Sequence, residues 1–181
     1  MNQYQIAISE LSELFERVDG DAVDTLVSQL MEAKKIVVFG AGRERLQIMG
    51  LAMRLFHLGL DASVVGDMNT PAVGKQDLFL VTCGPGVLST VTALANVARE
   101  AGATIVMITA KPDGLSIQDA DITITIPAQT MADDHKKQSV LPMGSLFEGA
   151  LFILFEVVVM RLKENICVSS EVMRSNHTNL E

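Results

Sequence analysis

The stretch KIVVFGAG, residues 35–42, places four apolar β-forming residues directly before a glycine-rich turn. An apolar run without polar alternation predicts a strand that is buried on both faces, as the strands of a parallel sheet are. The next stretch, residues 45–59, is mostly apolar and ends in Gly59, which predicts a helix closed by a glycine. The strand, the turn and the helix together predict the first unit of an α/β domain.

The same alternation of apolar runs and helical stretches continues along the chain. Further strands are predicted at residues 61–66, 77–84, 103–110 and 120–127. Helices are predicted within residues 1–33 with a break at Gly20, at 87–102, and from about Ser145 to Lys163. A polar loop over 127–143 precedes the last of these helices. Five strands that alternate with helices predict a doubly wound parallel sheet.

We expect one domain over residues 1–181, with N-terminal helices in 1–33, an αβα core in 34–165 and a tail in 166–181. In a doubly wound sheet, ligands bind beyond the carboxyl ends of the strands, where the strand order reverses. The loops expected at that edge are 40–44, 66–71, 83–88 and 110–114. We therefore look for chemistry in these four loops.

The composition excludes several classes of function. A formal net charge of -8 is unsuited to a non-specific nucleic-acid surface. Cys83 and Cys167 have neither the spacing of a metal site nor the number of a disulfide framework. The longest apolar stretch, 149–160, is shorter than the roughly 20 residues of a membrane span, and the first ten residues lack an apolar signal region. We expect a cytoplasmic protein with no metal, membrane or nucleic-acid partner.

The glycine-rich turn GAGRER, residues 40–45, has only part of a dinucleotide fingerprint, because Arg45 stands where the third glycine would be. A glycine-assisted turn or an anion site helped by Arg43 fits better than a nicotinamide cofactor. The turn DMNTPA, residues 67–72, has Thr70 before a proline, and ordinary turn chemistry is the preferred interpretation there.

The turn CGPG, residues 83–86, lies before a predicted helix, where backbone N–H groups can face an anion. The N–H groups of residues 86–88 are the candidates, while Pro85 has none. Cys83 is either a reactive thiol with a lowered pKa or a small buried filler, and the filler is favoured.

The start of the long helix, GSLFE at residues 144–148, admits two interpretations. Ser145 and Glu148 have the spacing of a capping box, in which each side chain bonds the backbone of the other. Alternatively, Glu148 borders a hydrophobic helix and is suited to act as a general base. The helix is apolar on all sides, so we expect it to be buried between subunits, with Glu156 paired across that interface.

Several pieces of the sequence together resemble the 6-phospho-3-hexuloisomerase family of the sugar isomerase (SIS) domain superfamily. These pieces are KKIVVFGAGR (34–43), LAMRLFHLG (51–59), VVGDMNTPA (64–72), ADITITIP (120–127), PMGSLFE (142–148) and HTNLE (177–181). The resemblance implies a three-layer αβα sandwich of the flavodoxin-like type with a five-stranded parallel sheet. It also implies a homo-oligomer, a dimer or tetramer, that interconverts 3-hexulose 6-phosphate and fructose 6-phosphate.

The resemblance also assigns roles to residues. It implies that Glu148 is the proton acceptor and that His177 is a functional histidine of the tail. The substrate-binding residues expected on this basis are Gly42, Arg43, Glu44, Thr70, Cys83, Gly84, Pro85, Gly86, Val87, Leu88 and Ser145. The chemistry needs no cofactor, because a base can move a proton from C2 to C3 through an enediol. His177 suits proton transfer between the two oxygens. The tail that brings it to the site belongs either to the same subunit or to a neighbouring one.

Two features depart from the family pattern. The family loop Ser-Gly-Ser-Gly-Glu-Thr reads Cys-Gly-Pro-Gly-Val-Leu at residues 83–88, and Glu44 stands where the family has a small hydroxyl residue. Both changes remove hydrogen bonds to a phosphate, and a carboxylate repels one. Three hypotheses stay open: the sugar-phosphate isomerase, an isomerase of a different keto or amino sugar, and a non-catalytic module that binds or senses a sugar.

Overall fold

The computed structural model describes residues 1–114, 116, 120–136 and 139–180, and its centre is a sheet of five parallel strands. The strands are β1 (Ile36–Phe39), β2 (Ala62–Val64), β3 (Leu78–Thr82), β4 (Thr104–Thr109) and β5 (Ile122–Thr125). Each lies within a predicted apolar run. The helices are α1 (Gln3–Phe15), α2 (Gly20–Glu32), α3 (Gly42–His57), α4 (Ser89–Ala101), α5 (Ser145–Asn165) and α6 (Ser170–Ser175).

The strand order is β2-β1-β3-β4-β5, and it reverses between β1 and β3. The chain leaves β1 toward one edge of the sheet and leaves β3 toward the other. The turns that follow these two strands, residues 40–44 and 83–88, therefore flank one crevice at the carboxyl edge. This confirms the α/β doubly wound architecture, and it brings the turns 40–44 and 83–88 to the carboxyl edge of the sheet.

Alternate strand residues feed two separate cores, as the pleat of a strand requires. Ile36 and Val38 join the larger core, in which the sheet packs against α1, α2, α3 and α5. Val37 and Phe39 join the smaller core on the opposite face, with α4. The sheet is thus covered on both faces, which explains why its strands are continuous apolar runs.

The apolar helix α5 is covered mainly within its own chain. Nine of its residues are buried, and α1, α2 and α3 all pack against it. Phe152 and Met160 remain exposed. The apolarity of the helix therefore reflects its place under three other helices, and burial between subunits is not needed to explain most of it.

Glu156 of α5 has its partner in the same chain, which corrects the expectation of a pair across an interface. Its Oε1 lies 3.7 Å from Arg54 Nε of α3, and both side chains are about half exposed. Two short elements were not predicted: α6 in the tail, and a 3-10 helix, Met131–Lys136, in the polar loop. None of the helices in the described residues is long and apolar enough to cross a bilayer.

Candidate active site

A cavity of about 530 Å³ opens at the carboxyl edge of the sheet, beside the turns that follow β1 and β3. The segment before α5 and the first turn of α5 complete its walls. The described residues that line it are Ala41, Gly42, Arg43, Glu44, Thr82, Cys83, Pro85, Leu88, Thr130, Met131, Ala132, Met143, Gly144, Phe147 and Glu148. Two carboxyl groups and one guanidinium thus share an enclosure whose other walls are largely apolar.

Glu148 lines this cavity from the first turn of α5. Its side chain is only 13% exposed, and its Oε2 lies 3.0 Å from Arg43 Nε. Arg43 Nη1 also donates to Ser145 Oγ at 3.3 Å, so one guanidinium joins the first turns of α3 and α5. The site therefore holds a shielded carboxylate beside a cation that is itself 63% exposed.

Ser145 and Glu148 do not form the capping box that their spacing allows. The N-cap of α5 is Gly144, which makes no side-chain cap and has a φ of 84°. Its carbonyl accepts the Glu148 N–H at 3.2 Å. The glycine takes the left-handed conformation at the entry and moves the helix start back by one residue. Ser145 is consequently inside the helix, and both side chains are left to interact with Arg43.

Glu44 faces the same cavity from the first turn of α3 and bonds the turn after β3. Gly84 N–H donates to both carboxyl oxygens, at 3.1 and 3.2 Å. Burial raises the pKa of the Glu44 carboxyl, and the negative charge of Glu148 adds to this, while the nearby Thr82 hydroxyl and the Gly84 N–H act in the opposite direction. The charge of Glu148 therefore acts on the Glu44 carboxyl across the cavity.

Gly84 is the residue that lets Glu44 approach so closely. A Cβ at this position would lie 2.8 Å from Glu44 Oε1 and 3.0 Å from the Phe147 ring. No side chain fits there without displacing its neighbours, so the contact between the two turns depends on a glycine.

The backbone of the 83–88 turn is largely engaged within the chain. Gly86 N–H donates to the Cys83 carbonyl at 2.9 Å, and Leu88 N–H donates to Ser116 Oγ at 3.1 Å. Two of the three amides expected to face an anion thus have protein acceptors. Tight closure of the turn and its packing on Ser116 account for this.

Cys83 is a buried thiol at the end of β3. Burial raises its pKa to about 11, and the charge of Glu44 contributes in the same direction. The side chain is 1% exposed. The structure therefore supports the small buried filler and not a reactive thiolate.

Comparison with known proteins matches residues 29–138 to the SIS domain. The chain belongs to the SIS domain family. It is 37% identical over 180 residues to the 3-hexulose-6-phosphate isomerase of Mycobacterium gastri, a match that covers 99% of this chain and 90% of that protein. The 3-hexulose-6-phosphate isomerase of Methylomonas aminofaciens is 31% identical over 182 residues, with 100% of each chain covered.

A solved structure extends the likeness to three dimensions. It is the crystal structure of a Methanococcus jannaschii protein, from which a molecular function of 3-hexulose-6-phosphate isomerase was inferred for that protein. The TM-score is 0.87 at 28% sequence identity, and the match covers 100% of both chains. The SIS fold that the resemblance implied is confirmed.

The cavity of this SIS domain brings together most of the predicted site residues. Those that line it are Gly42, Arg43, Glu44, Cys83, Pro85, Leu88 and Glu148. Gly84 and Ser145 each hydrogen-bond a lining side chain. Gly86 and Val87 are not among the described lining residues, and the Val87 side chain is half exposed.

Thr70 is occupied by its own turn. Its Oγ1 lies 2.7 Å from the Val64 carbonyl and 2.7 Å from the Asp67 carbonyl, and the residue is not among those that line the cavity. The ordinary turn chemistry preferred from the sequence accounts for these contacts.

His177 lies outside the Glu148 cavity of its own chain. Its ring stacks on that of His57 with centroids 5.0 Å apart, and Asn176 Nδ2 donates to the His57 carbonyl at 3.0 Å. His57 ends α3, whose 16 residues begin at Gly42 beside the cavity. At 1.5 Å per residue, the two ends of that helix are roughly 20 Å apart. Within one chain, His177 and Glu148 therefore lie at opposite ends of α3.

Sequence reasoning missed the walls that come from the polar loop. Thr130, Met131 and Met143 close one side of the cavity. Met143 adopts a φ of 53°, in the left-handed region that non-glycine residues seldom occupy. Thr82 was also missed: it is fully buried, and its hydroxyl has no hydrogen bond of ordinary geometry among the described residues. A hydroxyl residue at the end of the buried strand β3 was the available signal.

Proposed function

We propose that this SIS-domain chain interconverts 3-hexulose 6-phosphate and fructose 6-phosphate through an enediol. The observation that carries the proposal is the shielded Glu148 carboxylate beside Arg43 in the cavity at the reversal of strand order. Its relatives in Mycobacterium gastri and Methylomonas aminofaciens bear the name of this isomerase. The geometry of the cavity and the similarity to these relatives support the same isomerase activity.

Glu148 acts as the base. Its carboxylate takes the proton from C2 of the 3-ketose, the C2–H electrons form the C2–C3 double bond, and the C3 carbonyl oxygen gains a proton to give the enediol. Return of a proton to C3 and loss of the C2 hydroxyl proton give the 2-ketose. No electrons enter or leave, so no redox cofactor takes part.

Arg43 and the first turn of α5 stabilise the charge that develops on the enediol oxygens. The guanidinium is the cationic group among the described residues that line the cavity. The amino end of α5 adds the positive end of a helix dipole. The Arg43 side chain is exposed, so it can leave Glu148 for a substrate oxygen without a large desolvation cost.

The remaining proton transfer, between the two oxygens, is assigned to His177 of a neighbouring subunit, because within one chain this histidine lies beside His57. That assignment requires a homo-oligomer, a dimer or a tetramer. An exposed apolar patch on α3 and α5 supports one, and we call it the α3–α5 patch. Its residues are Leu46, Met49, Met53 and Phe56 on α3, and Phe152 and Met160 on α5. A net charge of -8 and cytoplasmic metabolism fit a small-molecule substrate with no nucleic-acid partner.

The proposal is tested by the formation of fructose 6-phosphate from 3-hexulose 6-phosphate, with wild type and Glu148→Gln compared. Glutamine keeps the size of the side chain, but it cannot take a proton. We expect an unchanged fold by circular dichroism and a loss of kcat by several orders of magnitude. Turnover retained in Glu148→Gln would remove this residue as the base, and a wild type without turnover would overturn the activity itself.

A further inference from the structure

The Glu44 carboxyl group contacts the turn 83–88, the turn that would receive the phosphate of the substrate under the proposed function. Both of its oxygens accept from Gly84 N–H, at 3.1 and 3.2 Å. Pro85 offers no N–H, and those of Gly86 and Leu88 bond Cys83 and Ser116. As a carboxylate, Glu44 would repel the negatively charged phosphate and would have no hydrogen to donate to it.

A second observation points to a ligand at the same place. Thr82 Oγ1 is fully buried, lines the cavity, and lies near Glu44 without a hydrogen bond of ordinary geometry among the described residues. A buried hydroxyl without a partner costs free energy unless a bound molecule supplies one. Two buried atoms of the site, Thr82 Oγ1 and Glu148 Oε2, thus lack a hydrogen bond of ordinary geometry among the described residues, and the ionised form of Glu44 opposes an anion.

We propose that Glu44 receives the phosphate of the substrate as a neutral carboxyl group, so that binding of a phosphorylated sugar takes up one proton. One oxygen keeps the Gly84 N–H, and the other carries the proton and donates it in a hydrogen bond to a phosphate oxygen. Glu44 is thereby a specificity-determining residue that ties substrate affinity to pH. This rests on the proposed function, which supplies the phosphorylated substrate.

The surroundings of Glu44 favour this protonation. Burial raises the pKa of the Glu44 carboxyl and the charge of Glu148 on α5 adds to this, while the Thr82 hydroxyl and the Gly84 N–H lower it in part. Arg43 on the same turn of α3 is held by Glu148 and Ser145. Burial raises the pKa of the Cys83 thiol at the end of β3 to about 11, so this thiol is neutral over the pH range 7 to 9. The 130–132 wall contributes no titratable side chain to the cavity. A phosphate bound beside the 83–88 turn adds negative charge near Glu44 and raises the proton affinity of its carboxyl group further.

Calorimetric titration with fructose 6-phosphate and with inorganic phosphate tests the proposal, using wild type, Glu44→Gln and Glu100→Gln. Glutamine imitates the neutral carboxyl, since it has one acceptor and one donor. Glu100 is an exposed carboxylate near the end of α4 and matches the change in net charge. Measurements from pH 7 to 9 keep the phosphate of fructose 6-phosphate mostly as a dianion, because the second pKa of a phosphate monoester is about 6. Inorganic phosphate ionises closer to neutrality, so it is compared only near pH 9.

In wild type and Glu100→Gln, the Kd should rise by up to about tenfold per pH unit, and buffers of different ionisation enthalpy should report uptake of about one proton. In Glu44→Gln, the Kd should be independent of pH, with no proton uptake, and binding at pH 8 should be at least about tenfold tighter than in wild type. Equal pH slopes in wild type and Glu44→Gln, or no proton uptake by wild type, would overturn the proposal.

Turnover of 3-hexulose 6-phosphate by the same wild-type preparation separates this proposal from the proposed function. Turnover with pH-independent binding overturns the role of Glu44 alone. Proton-linked binding of fructose 6-phosphate without turnover overturns the isomerase and leaves the role of Glu44 standing. Fructose without phosphate should bind with no proton uptake, and uptake with fructose would show that the proton does not serve the phosphate.

Discussion

Replacing Arg43 with Gln should separate the catalytic from the structural contribution of its ion pair with Glu148. The Arg43 side chain is 63% exposed and that of Glu148 13%, so the pair is open to water on one side. Exposed pairs contribute about 0.2–1 kcal/mol, whereas breaking a fully buried pair costs about 3–5 kcal/mol. Because water can replace the guanidinium, we expect the free energy of unfolding to fall by about 1 kcal/mol. In a domain of this size, that lowers Tm by about 2–4 °C.

The loss of activity in Arg43→Gln should be much larger than the loss of stability. The enediolate carries a negative charge next to the cationic group of the cavity, and removing one well-placed stabilising group typically lowers kcat by about 10²–10³. Fructose 6-phosphate formation, followed by a coupled assay, should report this fall. The thermal unfolding of the same sample gives the structural contribution.

Arg161→Gln is the matched control. Arg161 of α5 pairs with Asp24 of α2, also at the protein surface and between two helices, but neither residue lines the cavity. A similar small change in Tm is expected, with kcat unchanged. A kcat for Arg43→Gln within threefold of wild type, or equal losses in both variants, would refute the catalytic role of Arg43.

Other predictions follow from single contacts. With a pKa of about 11, Cys83 is a thiolate in about one molecule in a thousand at pH 8. Iodoacetamide should therefore label the exposed Cys167 first, and labelling of Cys83 should stay slow until the pH approaches 11. Equal labelling rates of the two cysteines, measured by mass spectrometry, would contradict the burial of Cys83. Gly84→Ala should cost about 1–3 kcal/mol in urea unfolding, since its Cβ would lie 2.8 Å from a carboxyl oxygen; unchanged stability would mean that the two turns can separate freely. Phe56→Glu should shift the protein to monomers in sedimentation if the α3–α5 patch is an interface, and an unchanged mass would place the interface elsewhere. His177→Ala should lower kcat with little change in Tm, and full activity would exclude the tail from the mechanism.

The fold could be predicted because each strand is a short apolar run in a sheet that is covered on both faces. Leu78–Thr82, for example, is fully buried, so its sequence has no polar alternation that could suggest another structure. The helix α6 was not predicted, because its six residues are too few to show the helical repeat of apolar positions. This helix depends on a cap, in which the Val172 N–H donates to the Ser169 side chain, and on packing against α3. A pattern of apolar residues along the sequence indicates neither contact.

The candidate site could be located from the sequence, but its internal contacts could not. Serine followed three residues later by glutamate fits a capping box only if the serine is the N-cap. At Ser145 the same spacing occurs one residue further into the helix, because Gly144 adopts a φ of 84° and takes the N-cap position. A spacing rule has no information on that dihedral angle. The Arg43 contacts that replace the box join residues about a hundred positions apart.

Glu44 shows most directly why the chemistry of a side chain cannot be taken from its letter alone. From the sequence, a carboxylate beside a phosphate loop is a repulsive group, and that inference assumes that the group is charged. The structure encloses it with Glu148 and gives it the Gly84 N–H as a donor. Burial and a neighbouring negative charge both favour the proton, and a protonated carboxyl donates a hydrogen bond that a carboxylate cannot. The same residue therefore opposes or assists a phosphate according to one proton. The protonation state of Glu44 depends on its environment in the fold. The packing of α3 against the 83–88 turn and α5 creates that environment.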